Sequence, residues 1–182
     1  MNKLLLTSAT SMLIALASAS VCAEEPAETS ASAEHHFYGT VKAVHTLGDD
    51  VGEEEGDPAN GFGLALGYEL THGVALEFAY TRATGDIVFP NAQSESATYT
   101  TMGVNGVYSH PVGAGVAVVG KVGYVEESEE VAGESATENG VAYTVGVEYE
   151  LNERIELAAE YEGSDIDSPR GSAVMAGVKV GF

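Results

Sequence analysis

From Ser172 to Phe182 the chain reads SAVMAGVKVGF, and its residues alternate in character. Val174, Ala176, Val178, Val180 and Phe182 are apolar, whereas Ala173, Met175, Gly177, Lys179 and Gly181 are small apart from one Met and one charge. Period two predicts a strand with one greasy face and one lean face. A tilted strand of about 9–11 residues crosses a bilayer, and this stretch has that length. The same pattern recurs upstream. It predicts strands from His36 to Thr46, Phe62 to Leu70, Val74 to Thr81, Ala97 to Ser109, Val116 to Val125, Val141 to Leu151 and from Ile155 to Glu162. Two hairpins repeat each other: Tyr68-Glu69-Leu70, turn, Val74-x-Leu76-x3-Tyr80 recurs as Tyr149-Glu150-Leu151, turn, Ile155-x-Leu157-x3-Tyr161. Hairpin-level repetition is what an up-and-down barrel produces.

The predicted architecture is therefore all-β: an eight-stranded antiparallel up-and-down transmembrane β-barrel. Its connections alternate between long and short, and outer-membrane barrels pair short periplasmic turns with longer outer loops. That pattern starts the first strand in the periplasm and puts the four long connections outside. Alternation alone does not orient the faces, because a soluble lipocalin-like barrel has the same period with an apolar lumen. The lean face is mostly Gly, Ala and Thr with few charges, poor covering for a solvated surface but suited to a narrow packed interior, and this favours lipid outside. In Val116–Val125 both faces are apolar, and a lysine facing mid-bilayer costs about 2–4 kcal/mol, so Lys121 belongs inside with Ala117, Val119 and Gly123. Tyr68, Tyr80, Tyr108, Tyr124, Tyr149 and Tyr161 fall on the greasy face near strand ends, where interfacial girdles lie.

Residues 1–23 carry Lys3, an apolar run from Leu4 to Ala17 and small residues at Val21-Cys22-Ala23, the pattern of a signal peptide. Residues 24–35 are acidic and small, which predicts a disordered leader, and residues 36–182 make up the barrel. Cleavage after Ala23 removes Cys22, the single cysteine, although a lipid anchor on Cys22 is the other reading. The net charge is −21, which excludes nucleic acid as a partner, since that needs Lys/Arg clusters. The acids concentrate in Asp49–Asp57 and Glu126–Glu138. Blocks of like charge repel and stay solvated, so both are expected to be outer loops. Weak binding of divalent cations by their carboxylates is the alternative.

The chain resembles the small eight-stranded outer-membrane barrels of the OmpA transmembrane-domain and OmpX type, within the broad porin-like "outer membrane protein beta-barrel domain" family. The resemblance covers Tyr38 to Phe182 and is carried most specifically by the C-terminal assembly signal, Gly177, Val180 and Phe182. It implies recognition by the barrel-assembly machinery and surroundings of outer-membrane lipid and lipopolysaccharide. A monomer without the peptidoglycan-binding half of full OmpA is expected. Met175 and Val180 depart from the polar and aromatic residues usual at their positions.

The candidate functional cluster is a lumen charge network: Lys42, Lys121 and Lys179 with Glu69, Glu77, Glu148, Glu156 and Glu160. Counting from the short-turn ends sets Lys179 level with Glu77, Glu148 and Glu156, and Lys42 and Lys121 level with Glu160. Such a network either plugs a barrel whose interior side chains just fill or forms a narrow pore gated by exchange of ion-pair partners. No catalytic, cofactor or metal site is expected. Ser109-His110 is the one adjacent Ser/His pair, but it falls at the Pro111 turn on the periplasmic side, the wrong leaflet for a lipid A-modifying enzyme, and no deacylase motif surrounds it. His35-His36 offers two metal ligands without a third.

Overall fold

A computed structural model describes residues 37–51, 54–88 and 94–182. The proposed signal peptide, the leader and His35-His36 lie outside the described residues. Eight long strands form the barrel: β1 (Phe37–Thr46), β2 (Asn60–Thr71), β3 (Val74–Val88), β4 (Ser94–Gly113), β5 (Val116–Val131), β6 (Glu134–Asn152), β7 (Ile155–Ser164) and β8 (Ala173–Gly181). Each pairs antiparallel with its chain neighbours, and β1 pairs with β8 from Tyr38↔Gly181 to Thr46↔Ala173, closing the ring. The described residues contain no helix.

The period-two pattern is realised with the greasy face outward. Val41, Leu64, Phe78, Val104, Val122, Val145 and Val178 are exposed, whereas Thr40, Lys42, Glu77, Asn105, Lys121, Thr144 and Glu148 are buried inside. A water-soluble barrel would show the reverse. An outward charge at mid-belt therefore meets hydrocarbon. Val145, 56% exposed and lying between Tyr143 and Tyr149 on β6, marks that level. Val145→Arg is expected to cost about 2–4 kcal/mol, read as a lowered urea midpoint for the protein refolded in lipid vesicles.

The short-turn end matches the expectation. β2–β3, β4–β5 and β6–β7 are joined by tight turns at His72-Gly73, Ala114-Gly115 and Glu153-Arg154. The opposite end differs. β1, β2, β7 and β8 have 10, 12, 10 and 9 residues, but β3 to β6 have 15, 20, 16 and 19. These four strands carry the sheet past the apolar belt as a ledge. The acidic segment Glu126–Glu138, expected as a solvated loop, is instead the paired top of β5 and β6. It turns at Ala132-Gly133, whose φ values of 53° and 86° belong to a two-residue type I′ hairpin. Of the expected loop Gly85–Ser96, the described residues, 85–88 and 94–96, are strand. In the first acidic block, two short strands, Asp50–Val51 and Glu54–Gly56, pair with each other, and the second also pairs with the top of β3.

Two apolar clusters bracket the interior. Tyr38, Ala75, Val107 and Val119 pack near the short turns. Ala59, Ala83, Ile87, Ala97 and Tyr99 pack beneath the ledge with Val131 against them. Ile87 and Val131 lie in segments read from the sequence as loops, so this second cluster was not expected.

Candidate functional site

The side chains between these clusters are charged. Lys42 on β1 reaches Glu160 on β7 at 2.5 Å, and Lys121 on β5 meets the other oxygen of Glu160 at 3.0 Å and Glu77 on β3 at 2.7 Å. The Tyr38 hydroxyl donates to Glu77 at 3.2 Å. Nearer the short turns, Lys179 on β8 lies 3.0 Å from both Glu148 and Glu156. Its ammonium also stands 4.9 Å from the centroid of the Tyr38 ring, within cation–π range. Five strands are thus joined by one chain of contacts running from Lys42 through Glu160, Lys121, Glu77 and Tyr38 to Lys179.

Seven of the eight network residues named from the sequence come together this way. Two details differ. Glu77 pairs with Lys121 rather than Lys179, because Tyr38 stands between them. Glu69 does not join at all: it lies close to the β2–β3 turn, where its carboxylate accepts the Gly73 N–H at 3.4 Å.

Room for these long side chains comes from the lean face. A Cβ at Gly67 would fall inside the Tyr38 ring, one at Gly177 would stand 2.8 Å from Lys42 Cγ, and one at Gly146 would stand 2.8 Å from Glu160 Cγ. Gly177, noted in the sequence as part of an assembly signal, therefore also makes space for Lys42. Val180 and Phe182 face outward, with the Phe182 ring stacked at 6.4 Å on Phe37. The space left among Lys42, Glu77, Asn105, Lys121, Thr144 and Glu160 is ≈ 20 Å³, about what one water occupies.

A second charged layer closes the mouth, and sequence reasoning missed it. Arg170, between β7 and β8, is 3% exposed. Its Nε lies 2.6 Å from Glu127 Oε2, a charge contact at an angle poor for a hydrogen bond, and its Nη2 donates to Glu162 at 3.2 Å. Thr101 donates to the same Glu127 oxygen at 3.4 Å. The Arg170 segment is tied to the chain after β1 by Leu47 N–H to Ser172 O, Gly48 N–H to Arg170 O and Asp49 N–H to Pro169 O, at 2.8, 3.2 and 3.0 Å.

Ser109 and His110 are consecutive in β4, so their side chains leave on opposite faces of the wall and do not form a pair. Among the described residues no group of three or more His, Cys, Asp or Glu converges to hold a metal ion.

Comparison with known proteins gives a consistent picture. The family model described as "Outer membrane protein beta-barrel domain" matches residues 13–182. No match was found among curated proteins. Among solved structures, Neisserial surface protein A is 21% identical with a TM-score of 0.60, the match covering 81% of this chain and 97% of that one. OprG from Pseudomonas aeruginosa is 12% identical with a TM-score of 0.61, covering 80% and 95%. Ail, the attachment invasion locus protein of Yersinia pestis, solved with the heparin analogue sucrose octasulfate, is 16% identical with a TM-score of 0.54, covering 80% and 96%. At such identities the likeness is one of fold.

Proposed function

Because the chain belongs to the outer membrane protein beta-barrel domain family, we propose that this outer-membrane barrel is a sealed, non-enzymatic wall element that carries an acidic ledge at the cell surface. The observation that carries the reading is the lumen. Three lysines and four glutamates pair across its middle, the space among Lys42, Glu77, Lys121 and Glu160 being ≈ 20 Å³, and Arg170 pairs with Glu127 and Glu162 nearer the mouth. Ions crossing such a core would have to break buried pairs, which is costly. The departure of the Ser109 and His110 side chains on opposite faces of the wall favours a non-catalytic role.

In this reading the short turns face the periplasm, as in other barrels of this architecture, so the N-terminal end of β1 is periplasmic and the ledge is outside. The outward Val180 and Phe182 are then available to the barrel-assembly machinery, and the apolar belt of a monomer sits among outer-membrane lipid and lipopolysaccharide.

The test is conductance of the refolded protein across a planar bilayer. The expected result is a silent membrane at moderate voltage, with current appearing only in variants that break the ion pairs. A stable, resolved conductance from the unaltered protein would make it a small porin and overturn the sealed reading. A surface-contact role is the second reading, favoured by the height of β3 to β6 above the belt.

A further inference from the structure

The placement of the basic residues leaves the mouth of the barrel short of positive charge. Of the seven lysines and arginines, Lys3 lies outside the described residues. Lys42, Lys121 and Lys179 pair within the lumen. Arg82 is exposed on the outer wall of β3, and Arg154 is exposed in the β6–β7 turn. Among the described residues, that leaves Arg170 for the mouth, where it meets Glu127 and Glu162. Glu129, Glu138 and Asp167 add further negative charge beside Glu127.

These acids line a pocket of ≈ 40 Å³ between the inner face of β5 and β6 and the β7–β8 connection, with Ala136 and Ile166 completing its wall. That is room for an ammonium group and the methylene behind it. Asp165 seats the connection on β6: its carboxylate accepts the Val141 N–H at 2.6 Å, and its own N–H donates to the Val141 carbonyl at 3.1 Å. A Cβ at Gly140 would stand 2.6 Å from Ile166 Cγ1, so the glycine lets the connection lie close against the strand.

Two separate observations point to a cation there. Glu127 and Glu138 are direct cross-strand partners, an arrangement that is destabilising for like charges. Glu127 is also 3% exposed. Its Oε2 faces Arg170 and Thr101, but its Oε1 accepts no hydrogen bond among the described residues. A buried carboxylate oxygen without a donor is costly. The group that relieves both defects carries positive charge and N–H donors together. An ammonium has three such donors. A metal ion needs several oxygens converging on one point, and among the described residues no three acids do so.

Glu129 gives the ligand its length. It stands two residues beyond Glu127 on the same face of β5, roughly 7 Å further toward the tip of the ledge. Four methylenes between two ammonium groups span about that distance. We infer that the mouth of the barrel binds a linear polyamine, with one terminal ammonium in the pocket among Glu127, Glu138 and Asp167 and the next amine at the level of Glu129. The pocket lies on the inner side of the wall, which lipid headgroups do not reach, so the ligand is a small soluble amine. The inference goes beyond the sealed-barrel reading and does not depend on what the lumen conducts.

The experiment is calorimetric titration of putrescine into the protein refolded in phosphatidylcholine nanodiscs. Saturable one-to-one binding is expected. Glu138→Gln should weaken it roughly tenfold, as loss of a partly desolvated charge contact does. The heat-modifiability of the barrel should not change, because this substitution removes a like-charge pair and breaks no ion pair. Asp167→Asn should weaken binding to a similar degree from the opposite wall of the pocket. Glu126→Gln and Glu130→Gln remove the same charge from the outer face of β5 and should leave binding nearly unchanged. Butylamine, with one ammonium on a chain of equal length, should bind roughly tenfold more weakly for want of the second contact. Equal losses from the inner and outer glutamine variants would mean diffuse electrostatic attraction and overturn the proposal, as would a lack of binding. Calcium that binds more tightly than putrescine and is weakened by Glu138→Gln would make the occupant a divalent cation. Butylamine equal to putrescine would make it any lone ammonium, a lysine side chain included, and either result also overturns the assignment of a polyamine.

Discussion

Lys121→Met is expected to be among the most destabilising single changes inside the barrel, at about 3–5 kcal/mol, the usual cost of removing one partner from a buried ion pair. Lys121 is the ammonium that two carboxylates share, Glu77 at 2.7 Å and Glu160 at 3.0 Å. The two are not left equally exposed to its loss. Glu160 keeps Lys42, whereas Glu77, 2% exposed, keeps only the neutral Tyr38 hydroxyl. The cost therefore falls mainly on Glu77. Two consequences follow from that asymmetry. Lys42→Met should cost less, because Glu160 retains Lys121. The double change Lys121→Met with Glu77→Gln should recover much of the loss, because the stranded charge is gone while a side chain of the same size still meets Tyr38. The measurement is the urea midpoint of the protein refolded in micelles, with Val122→Ala on the outer wall as the reference. A Lys121→Met midpoint no lower than that reference would sink the idea that this network holds the barrel together.

The middle of the barrel was legible in the sequence because hydrocarbon outside enforces a strict alternation. Once Lys121 is required to face inward, every residue of its strand is oriented, and antiparallel pairing carries that orientation around the ring. The small residues of the lean face are what admit the charged network. They are the space into which Lys42, Tyr38 and Glu160 extend, as Gly177, Gly67 and Gly146 illustrate. The level of Glu77 was harder to read. Counting along strands set it beside Lys179, but the Tyr38 ring fills that gap and passes Glu77 to Lys121, and no local pattern contains this exchange.

Above the belt the legibility falls off for a physical reason. Lipid no longer demands an apolar outer face, so the outward positions Glu126 and Glu130 become as polar as the inward Glu127. The alternation disappears, and the segment takes on the composition of a solvated loop. It is nevertheless strand, because β4 and β6 supply backbone partners on both sides of β5 up to Val131. The trace left in the sequence is Gly133 between Val131 and Glu134, which suits the second of two successive positive φ values, whereas Ala132 takes the first against its own preference. Arg170 escaped notice for the same reason. Its main partner, Glu127, lay within a segment assigned to solvent, so a short Pro-Arg-Gly turn gave no hint of a buried guanidinium.

Arg170→Gln should accordingly separate the mouth from the middle. The guanidinium loses its contacts with Glu127 at 2.6 Å and Glu162 at 3.2 Å, and Glu127, buried and already without a donor for one oxygen, keeps only Thr101. Stranding that carboxylate costs about 3–5 kcal/mol, but the response is expected to be local. The segment that carries Arg170 is otherwise held by backbone bonds from Leu47, Gly48 and Asp49, so the two outer connections can lift together while the strands below stay paired. Limited proteolysis in nanodiscs should then cleave this region many times faster, with the urea midpoint of the barrel moving less than for Lys121→Met. Arg170→Lys should fall between, since a single ammonium restores the charge without reaching both carboxylates in the fork geometry of a guanidinium. Arg170→Gln with Glu127→Gln should slow cleavage again by removing the stranded charge. If Arg170→Gln instead lowers the midpoint as far as Lys121→Met with no gain in cleavage, the mouth and the middle form one cooperative core, and the outer layer does not act as a separate closure.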